Sequence, residues 1–305
     1  MDQVKKFLSY VEIKTKITSV FPFLMMMAYL PASGYGIDAL RSAVFFCGMI
    51  MFDLTATTIN NYFDTMKNSR TLQFERRTAG AITIVLLAAS AAFGVWLVIL
   101  TDIVVLLLGG LCFLFGIGYS FGPAPVSHGP YGEFISGFFY GIVIPAIIMY
   151  INVPGELLRF SVSPQYLSGT VYIAPAIRLL LVSAVPFCLT ANIMLANNIC
   201  DKKSDVEVGR YTLPYYLGEF SLYLFAILYY TAYISVLVMV ALNLLSPVSI
   251  FLTLTIVPVQ KNISLFFKKQ DKEETFPLAI KNFIIIYAAH CFLIFSGRYL
   301  SDRMW

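Results

Sequence analysis

The chain has 305 residues, of which 59% are hydrophobic and only 12% charged, and its mean hydropathy is +0.78. That balance excludes an ordinary water-soluble globular domain and fits a polytopic membrane protein, with membrane lipid as its surroundings and no nucleic-acid partner expected. The net charge of +4 is what the cytoplasmic loops of such a protein carry and implies nothing further.

Residues 1–16 interleave Lys5, Lys6, Glu12, Lys14 and Lys16 with Phe7, Leu8, Tyr10 and Val11, the pattern of an amphipathic segment lying on the inner membrane surface. No small-residue cleavage site follows a short apolar core, so a retained first helix is expected rather than a cleaved signal peptide. Nine apolar segments are then predicted, over 17–31, 37–59, 79–100, 103–121, 133–152, 172–196, 219–244, 247–267 and 277–297. Most approach the ~20 residues that span a bilayer. Pro22 interrupts the first, and Pro258 and Lys261 the eighth, which leaves eight or nine spans. The N-terminus and the loops after the even-numbered segments hold most of the 21 Lys and Arg, which assigns them to the cytoplasm, of a bacterial cell by expectation. The fold expected is an all-α helix bundle, one transmembrane domain over residues 1–305.

Segment two carries an acid, Asp53, in an otherwise apolar run. Ionisable groups inside a span are costly, so Asp53 reads either as functional or as a structural acid bonded to a neighbouring helix. Asp53, Thr57, Asn60, Asn61 and Asp64 follow helical spacing and form one polar stripe leading to the cytoplasmic mouth. The first motif, over 60–80, reads NNYFDTMKN from Asn60 and continues into Arg70, Arg76 and Arg77. The loop after segment four, from Gly118 to Phe134, is rich in Gly and Pro and supplies Tyr119, His128, Tyr131 and Glu133. The second motif, over 197–214, reads NNICDKKSDVEVGRYTLP. If the helix persists through it, Asn197, Asp201 and Asp205 share one face. Oxygen ligands grouped in this way suit Mg²⁺, which binds through one or two carboxylates and completes its shell with water and phosphate. Both motifs begin Asn-Asn-x-x-Asp, lie 137 positions apart and follow segments of the same direction, so they form a parallel internal repeat.

Three stretches together carry a family resemblance. They are Asn60-x-x-x-Asp64, then Tyr119-x-x-x-Pro123-x-Pro125 with Gly132-Glu133, and finally Asn197-Asn198-x-x-Asp201-x-x-x-Asp205 with Gly209-Arg210-x-Thr212-Leu213. The chain resembles the UbiA superfamily of intramembrane aromatic prenyltransferases, and within it the 1,4-dihydroxy-2-naphthoate polyprenyltransferases of menaquinone synthesis. The resemblance implies Mg²⁺-dependent transfer of a polyprenyl group from a polyprenyl diphosphate to an aromatic acceptor. It assigns metal binding to Asn60, Asn61, Asp64, Asn197, Asp201 and Asp205, and diphosphate binding to Arg76, Arg77, Arg210, Lys202 and Lys14. Asp64, Asp201, Asp205, Asp53 and Tyr119 become the expected catalytic residues, Asp53 toward the acceptor and Tyr119, with Tyr62, toward a carbocation. The superfamily's first motif usually carries acids where this chain has Asn61 and Asn68, which leaves Asp64 as its lone carboxylate and predicts a weaker first metal site.

Two alternatives stay open. With the same fold, the acceptor can be 4-hydroxybenzoate, a haem vinyl group or a glycerophosphate. In a different class, a parallel repeat with an intramembrane acid also fits a transporter of an anionic metabolite. The five cysteines have no metal-binding spacing and read as small apolar residues, and His290 reads as a satisfied core residue.

Overall fold

The computed structural model describes residues 3–67, 71–120, 125–162 and 165–301. Asn68, Arg70 and Pro123 lie outside the described residues, as does the side chain of Asp64. Every one of the nine apolar segments forms helix. After a short N-terminal helix α1 (Gln3–Tyr10) and a single 3-10 turn at Ile13–Lys16 come α2 (Ile17–Ala32), α3 (Ala39–Lys67), α4 (Arg76–Leu100) and α5 (Ile103–Ser120). The fifth segment is built from α6 (Gly132–Phe138), a π-turn at Phe139–Val143 and α7 (Ile144–Asn152). Then follow α8 (Ile173–Glu207), a short α9 (Leu213–Leu217), α10 (Phe220–Ala241), a 3-10 stretch at Pro247–Thr255 running into α11 (Ile256–Lys268), and α12 (Phe276–Ser301). Seven of these helical stretches are long and apolar enough to cross a membrane, and Ile103–Tyr119 is a shorter apolar helix.

Local chemistry sets the helix starts. The carboxylate of Asp38 accepts the Arg41 N–H at 2.9 Å, and that of Asp102 accepts the Val104 N–H at 2.9 Å, so each acid satisfies a first-turn donor that has no partner within its helix. Between α7 and α8 lies a hairpin that the hydropathy pattern does not reveal, β1 (Leu158–Val162) paired antiparallel with β2 (Leu167–Val171). Ser161 and Ser168 share a side-chain hydrogen bond of 2.7 Å across it.

The chain forms two compact units. The first comprises residues 1–20 and 38–127 and centres on α3 and α4. Val11, Leu54 and Leu86 form its core cluster, with Phe7, Ile50, Met51 and Ile82 against them, so the N-terminal segment is built into the helix packing. The second comprises residues 21–37 and 128–305 and is organised around α8. Its interior is aromatic. Phe225 packs on Phe266 at 4.5 Å and on Tyr229 at 5.1 Å, and Phe283 on Tyr287 at 4.7 Å. Large apolar side chains such as Ile84, Ile99, Leu107, Val257 and Phe292 remain exposed, the surface that a bilayer would cover. All five cysteines are free thiols, only Cys188 of them fully buried. His290 is indeed a core residue, but neither ring nitrogen has a hydrogen-bond partner among the described residues, which corrects the expectation that it is satisfied.

The closest approach in the second unit is made by glycine. A Cβ on Gly141 would sit 2.3 Å from the Phe187 Cα, and one on Gly137 would sit 3.0 Å from the Phe187 carbonyl oxygen. Two glycines four apart therefore let the α6 segment press its backbone onto α8 beside Pro186, a small-residue contact of the kind that packs membrane helices. Gly141→Ala is expected to cost about 1–3 kcal/mol through overpacking, seen as a lower thermal midpoint of the purified protein. Gly110→Ala, where nothing lies within 4 Å of the added atom, should leave the midpoint unchanged.

Candidate active site

In the first unit the polar stripe on α3 forms as the spacing predicts, and its inner end is closed by an ion pair. The Lys16 ammonium donates to Asp53 Oδ1 at 2.9 Å, to the Asp53 carbonyl at 3.0 Å and to Thr57 Oγ1 at 2.5 Å. Ser19 Oγ donates to the other carboxylate oxygen at 2.7 Å. Both charged side chains are 6% exposed. The Asp53 carboxylate is thus engaged on both oxygens by the entry to α2. The lysine that reaches inward is Lys16, whereas Lys14 is exposed on the 3-10 turn.

Further along the stripe, Asn61 uses its amide N–H groups on the N-terminal segment. Its Nδ2 donates to the Tyr10 carbonyl at 2.9 Å and to Glu12 Oε1 at 3.3 Å. An aspartate there could not donate, so the departure from the acidic motif fits the packing of this N-terminal segment. The Tyr10 hydroxyl lies within hydrogen-bond reach of the Thr58 and Ala79 carbonyls, at 3.2 and 3.3 Å, and of Thr83 Oγ1 at 3.1 Å, and burial pushes its phenol pKa up. Glu12 holds a left-handed backbone, φ 49°, unusual for a side-chain-bearing residue. Arg76 lies over the Tyr62 ring at 5.5 Å and donates to the Thr65 carbonyl at 3.2 Å, so it serves the C-terminal end of α3. Arg77 is exposed, and Asn60 and Tyr119 are half-buried.

In the second unit α8 runs unbroken through the second motif to Glu207, so Asn197, Asp201 and Asp205 do share one face. The helix then stops in a glycine cap. Gly209 takes φ +73°, its N–H reaches the Val206 carbonyl at 3.1 Å, and the Arg210 N–H reaches the Asp205 carbonyl at 2.8 Å. That turn folds the Arg210 side chain back to Asp205 Oδ1 at 3.6 Å. Next, the Tyr211 N–H bonds the His128 carbonyl at 2.9 Å, tying the Gly/Pro-rich loop to the motif. Thr212 is buried at the start of α9. Lys202 is half-buried on α8.

Two residues complete this face. Glu133 is 4% exposed and accepts the Asn198 amide on Oε1 at 2.9 Å, while its Oε2 has no hydrogen-bond partner among the described residues. Lys272 was not anticipated. Its ammonium bonds Asn197 Oδ1 at 2.5 Å and pairs with Asp201 Oδ2, so a cation already sits between two predicted metal ligands. The one hint in the sequence is the basic loop after segment eight. That loop is ordered by Asp271, whose Oδ1 accepts the N–H groups of Glu273 and Glu274 at 2.9 Å each. The Glu274 and Glu273 N–H groups hold the Asp271 carboxyl below its usual range. With a lowered folded-state value, this contribution is complete above the ordinary carboxylate pKa and fades only as pH falls through the lowered one. Among the described residues no three His, Cys, Asp or Glu side chains converge as a ready-made metal cage.

With seven candidate spans among its described residues, this helical chain is an integral membrane protein. The model of the UbiA prenyltransferase family matches residues 19–285, and the chain belongs to that family. No curated protein matches it significantly. Among solved structures, a UbiA homologue from Aeropyrum pernix K1 in its apo form is 18% identical, with a TM-score of 0.62 over 93% of this chain and 98% of that one. A UbiA homologue from Archaeoglobus fulgidus bound to DMAPP and Mg²⁺ is 15% identical, with a TM-score of 0.61 over 97% and 99%. A structure titled for digeranylgeranylglyceryl phosphate synthase in membranes is 17% identical, with a TM-score of 0.60 over 98% and 99%. At these identities the likeness establishes the fold.

Two substitutions test this geometry. Lys16→Met leaves the Asp53 charge buried and is expected to cost about 3–5 kcal/mol, with most of it recovered in Lys16→Met/Asp53→Leu, read from thermal unfolding of the two proteins. Asn61→Asp sets an acceptor against the Tyr10 carbonyl and Glu12. Faster amide hydrogen exchange over residues 3–16, with the rest of the molecule unchanged, is the expected signature.

Proposed function

We propose that this protein transfers a polyprenyl group from a polyprenyl diphosphate to 1,4-dihydroxy-2-naphthoate, as menaquinone or demethylmenaquinone synthesis requires, with Mg²⁺ as its cofactor. The observation that carries the reading is the α8 face, where Asn197 and Asp201 already hold a cation and Asp205 lies one turn further on. That the pair accepts an ammonium supports a reading of these oxygens as disposed toward a positive ion. Two carboxylates and an amide suit Mg²⁺, which prefers to complete its shell with phosphate oxygens. The relative from Archaeoglobus fulgidus with DMAPP and Mg²⁺ supports the same assignment.

Bound there, Mg²⁺ supplies charge that stabilises a departing diphosphate. This chain's own residues supply the rest. Asn197, Asp201 and Asp205 would hold the metal on this unit, and the family resemblance assigns metal binding to Asn60 and Asp64 of the first motif as well. Arg210, kept beside Asp205 by the glycine cap, presents a planar donor fork to diphosphate oxygens. Glu133, through Asn198, fixes the rotation of α8 about its axis, so that the ligand face keeps its direction. The allylic C–O bond breaks with its electron pair going to the diphosphate, and an electron-rich ring carbon of the acceptor attacks the allyl cation. Tyr62 and Tyr119 offer aromatic faces to that cation. For a dihydroxynaphthoate the ring regains aromaticity by losing its carboxylate as CO₂. With both oxygens engaged, Asp53 serves this scheme by holding α2 to α3, and a role toward the acceptor would require Lys16 to withdraw. The basic loops support a cytoplasmic position for both motifs.

The acceptor is the most open part of the scheme. The Gly/Pro-rich loop with Gly132-Glu133 favours a naphthoate, while the structural likeness to digeranylgeranylglyceryl phosphate synthase favours testing a glyceryl phosphate as well. The experiment offers membranes containing the protein a polyprenyl diphosphate with dihydroxynaphthoate, 4-hydroxybenzoate or a prenylated glyceryl phosphate, with and without Mg²⁺, and follows the products by mass. A Mg²⁺-dependent prenylated naphthoquinol is expected. Asp201→Asn should lower its formation by roughly 100-fold or more, with the folded protein intact.

A further inference from the structure

Resting on the second-motif metal site proposed above, we propose that Lys272 is a built-in counter-cation that keeps bare divalent metal off that site and yields only to metal that arrives with a diphosphate. Lys272 lies in the loop between α11 and α12. Asp271 accepts two backbone N–H groups, and Thr275 Oγ1 accepts the Asp271 N–H at 2.8 Å, so the turn has a defined shape. Lys269 takes the nearest acids, reaching Glu274 at 2.5 Å and Asp271 at 4.0 Å. Lys272 instead reaches across 71 positions to Asp201 and 75 to Asn197, with its ammonium 5.0 Å from the centre of the Phe276 ring.

Charge counting then decides what the face can bind. Both carboxylates of the α8 face are already paired, Asp201 with Lys272 and Asp205 with Arg210. A bare divalent cation therefore meets occupied oxygens, and it must displace an ammonium to enter. A diphosphate carries its own negative charge. Once it is present the ammonium has somewhere better to go, because three N–H donors on a flexible stem can turn to phosphate oxygens while the metal takes Asn197 and Asp201. Metal and diphosphate therefore assist one another, and Lys272 is the residue through which they do so. The pairing is partly exposed, with Lys272 at 41% and Asp201 at 20%, which leaves the exchange open to solvent and ligands.

The test uses the full-length protein in detergent and reads binding, not turnover. Free Mn²⁺ is measured by electron paramagnetic resonance, as a Mg²⁺ surrogate, with and without inorganic pyrophosphate. Lys272→Gln should bind Mn²⁺ alone about fivefold more tightly, the scale of a partly exposed ion pair, and the enhancement of Mn²⁺ binding by pyrophosphate should shrink by a similar factor. Lys272→Arg should keep the wild-type behaviour. Asp271→Ala, which loosens the turn but keeps the lysine, should move both quantities the same way as Lys272→Gln, and it carries the test if that variant does not fold. Unchanged or weaker Mn²⁺ binding in the folded Lys272→Gln protein would overturn the inference. Failure of the metal site itself looks different, since Asp201→Asn would then keep full Mn²⁺–pyrophosphate binding.

Discussion

A carboxylate among apolar helices is costly unless a positive charge or a hydrogen-bond donor meets it, and that constraint shapes both halves of this protein. Asp53 has Lys16 and Ser19, Asp205 has Arg210, Asp201 has Lys272, and Glu133 has the Asn198 amide. The pairs differ in accessibility, and the difference sorts their roles. Lys16 and Asp53 are sealed from solvent, so their bond acts as a permanent joint between the entry to α2 and the middle of α3. Lys272 and Asp201 are partly exposed, so theirs is a joint that solvent reaches.

The second constraint is the length of α8. A helix of 35 residues rises about 52 Å at 1.5 Å per residue, more than the ~30 Å hydrocarbon core. One rigid element can therefore carry buried contacts at Ser183, Pro186 and Leu189 and still present Asn197, Asp201 and Asp205 beyond the apolar zone. Gly137 and Gly141 fix where that rod lies by permitting backbone contact at Phe187. The glycine cap at Gly209 then ends it and turns Arg210 back toward its own last carboxylate. Ligand geometry at one end thus depends on packing several turns away, because the helix between them does not bend freely.

The two units use their polar residues differently. The first motif has been partly diverted to architecture. Asn61 donates to the N-terminal segment, and Arg76 satisfies the end of α3. The first unit thereby has an amide where an acid could not serve the N-terminal segment, while the second motif keeps Asp201 and Asp205 on the α8 face.

Much of this was legible in the chain itself. The nine helical segments, the polar stripe on α3 and the shared face of Asn197, Asp201 and Asp205 follow from hydropathy and from the 3.6-residue period, which are local properties. The hairpin at 158–171 escaped because five-residue strands in an extramembrane loop leave little pattern. The partners of the acids escaped for another reason. Lys16 lies 37 positions from Asp53, Glu133 65 from Asn198, and Lys272 71 from Asp201. Composition identifies such charges as expensive and in need of partners, but several lysines and arginines were equally eligible in the sequence. The chain alone therefore determined which residues form the helices and which acids stand on them, since both depend on neighbours a few residues away. Only the tertiary structure decided that Lys16 rather than Lys14 goes inside, that Asn61 serves the N-terminal segment, and that Lys272 pairs with Asp201, because each of those choices is made by how distant segments pack.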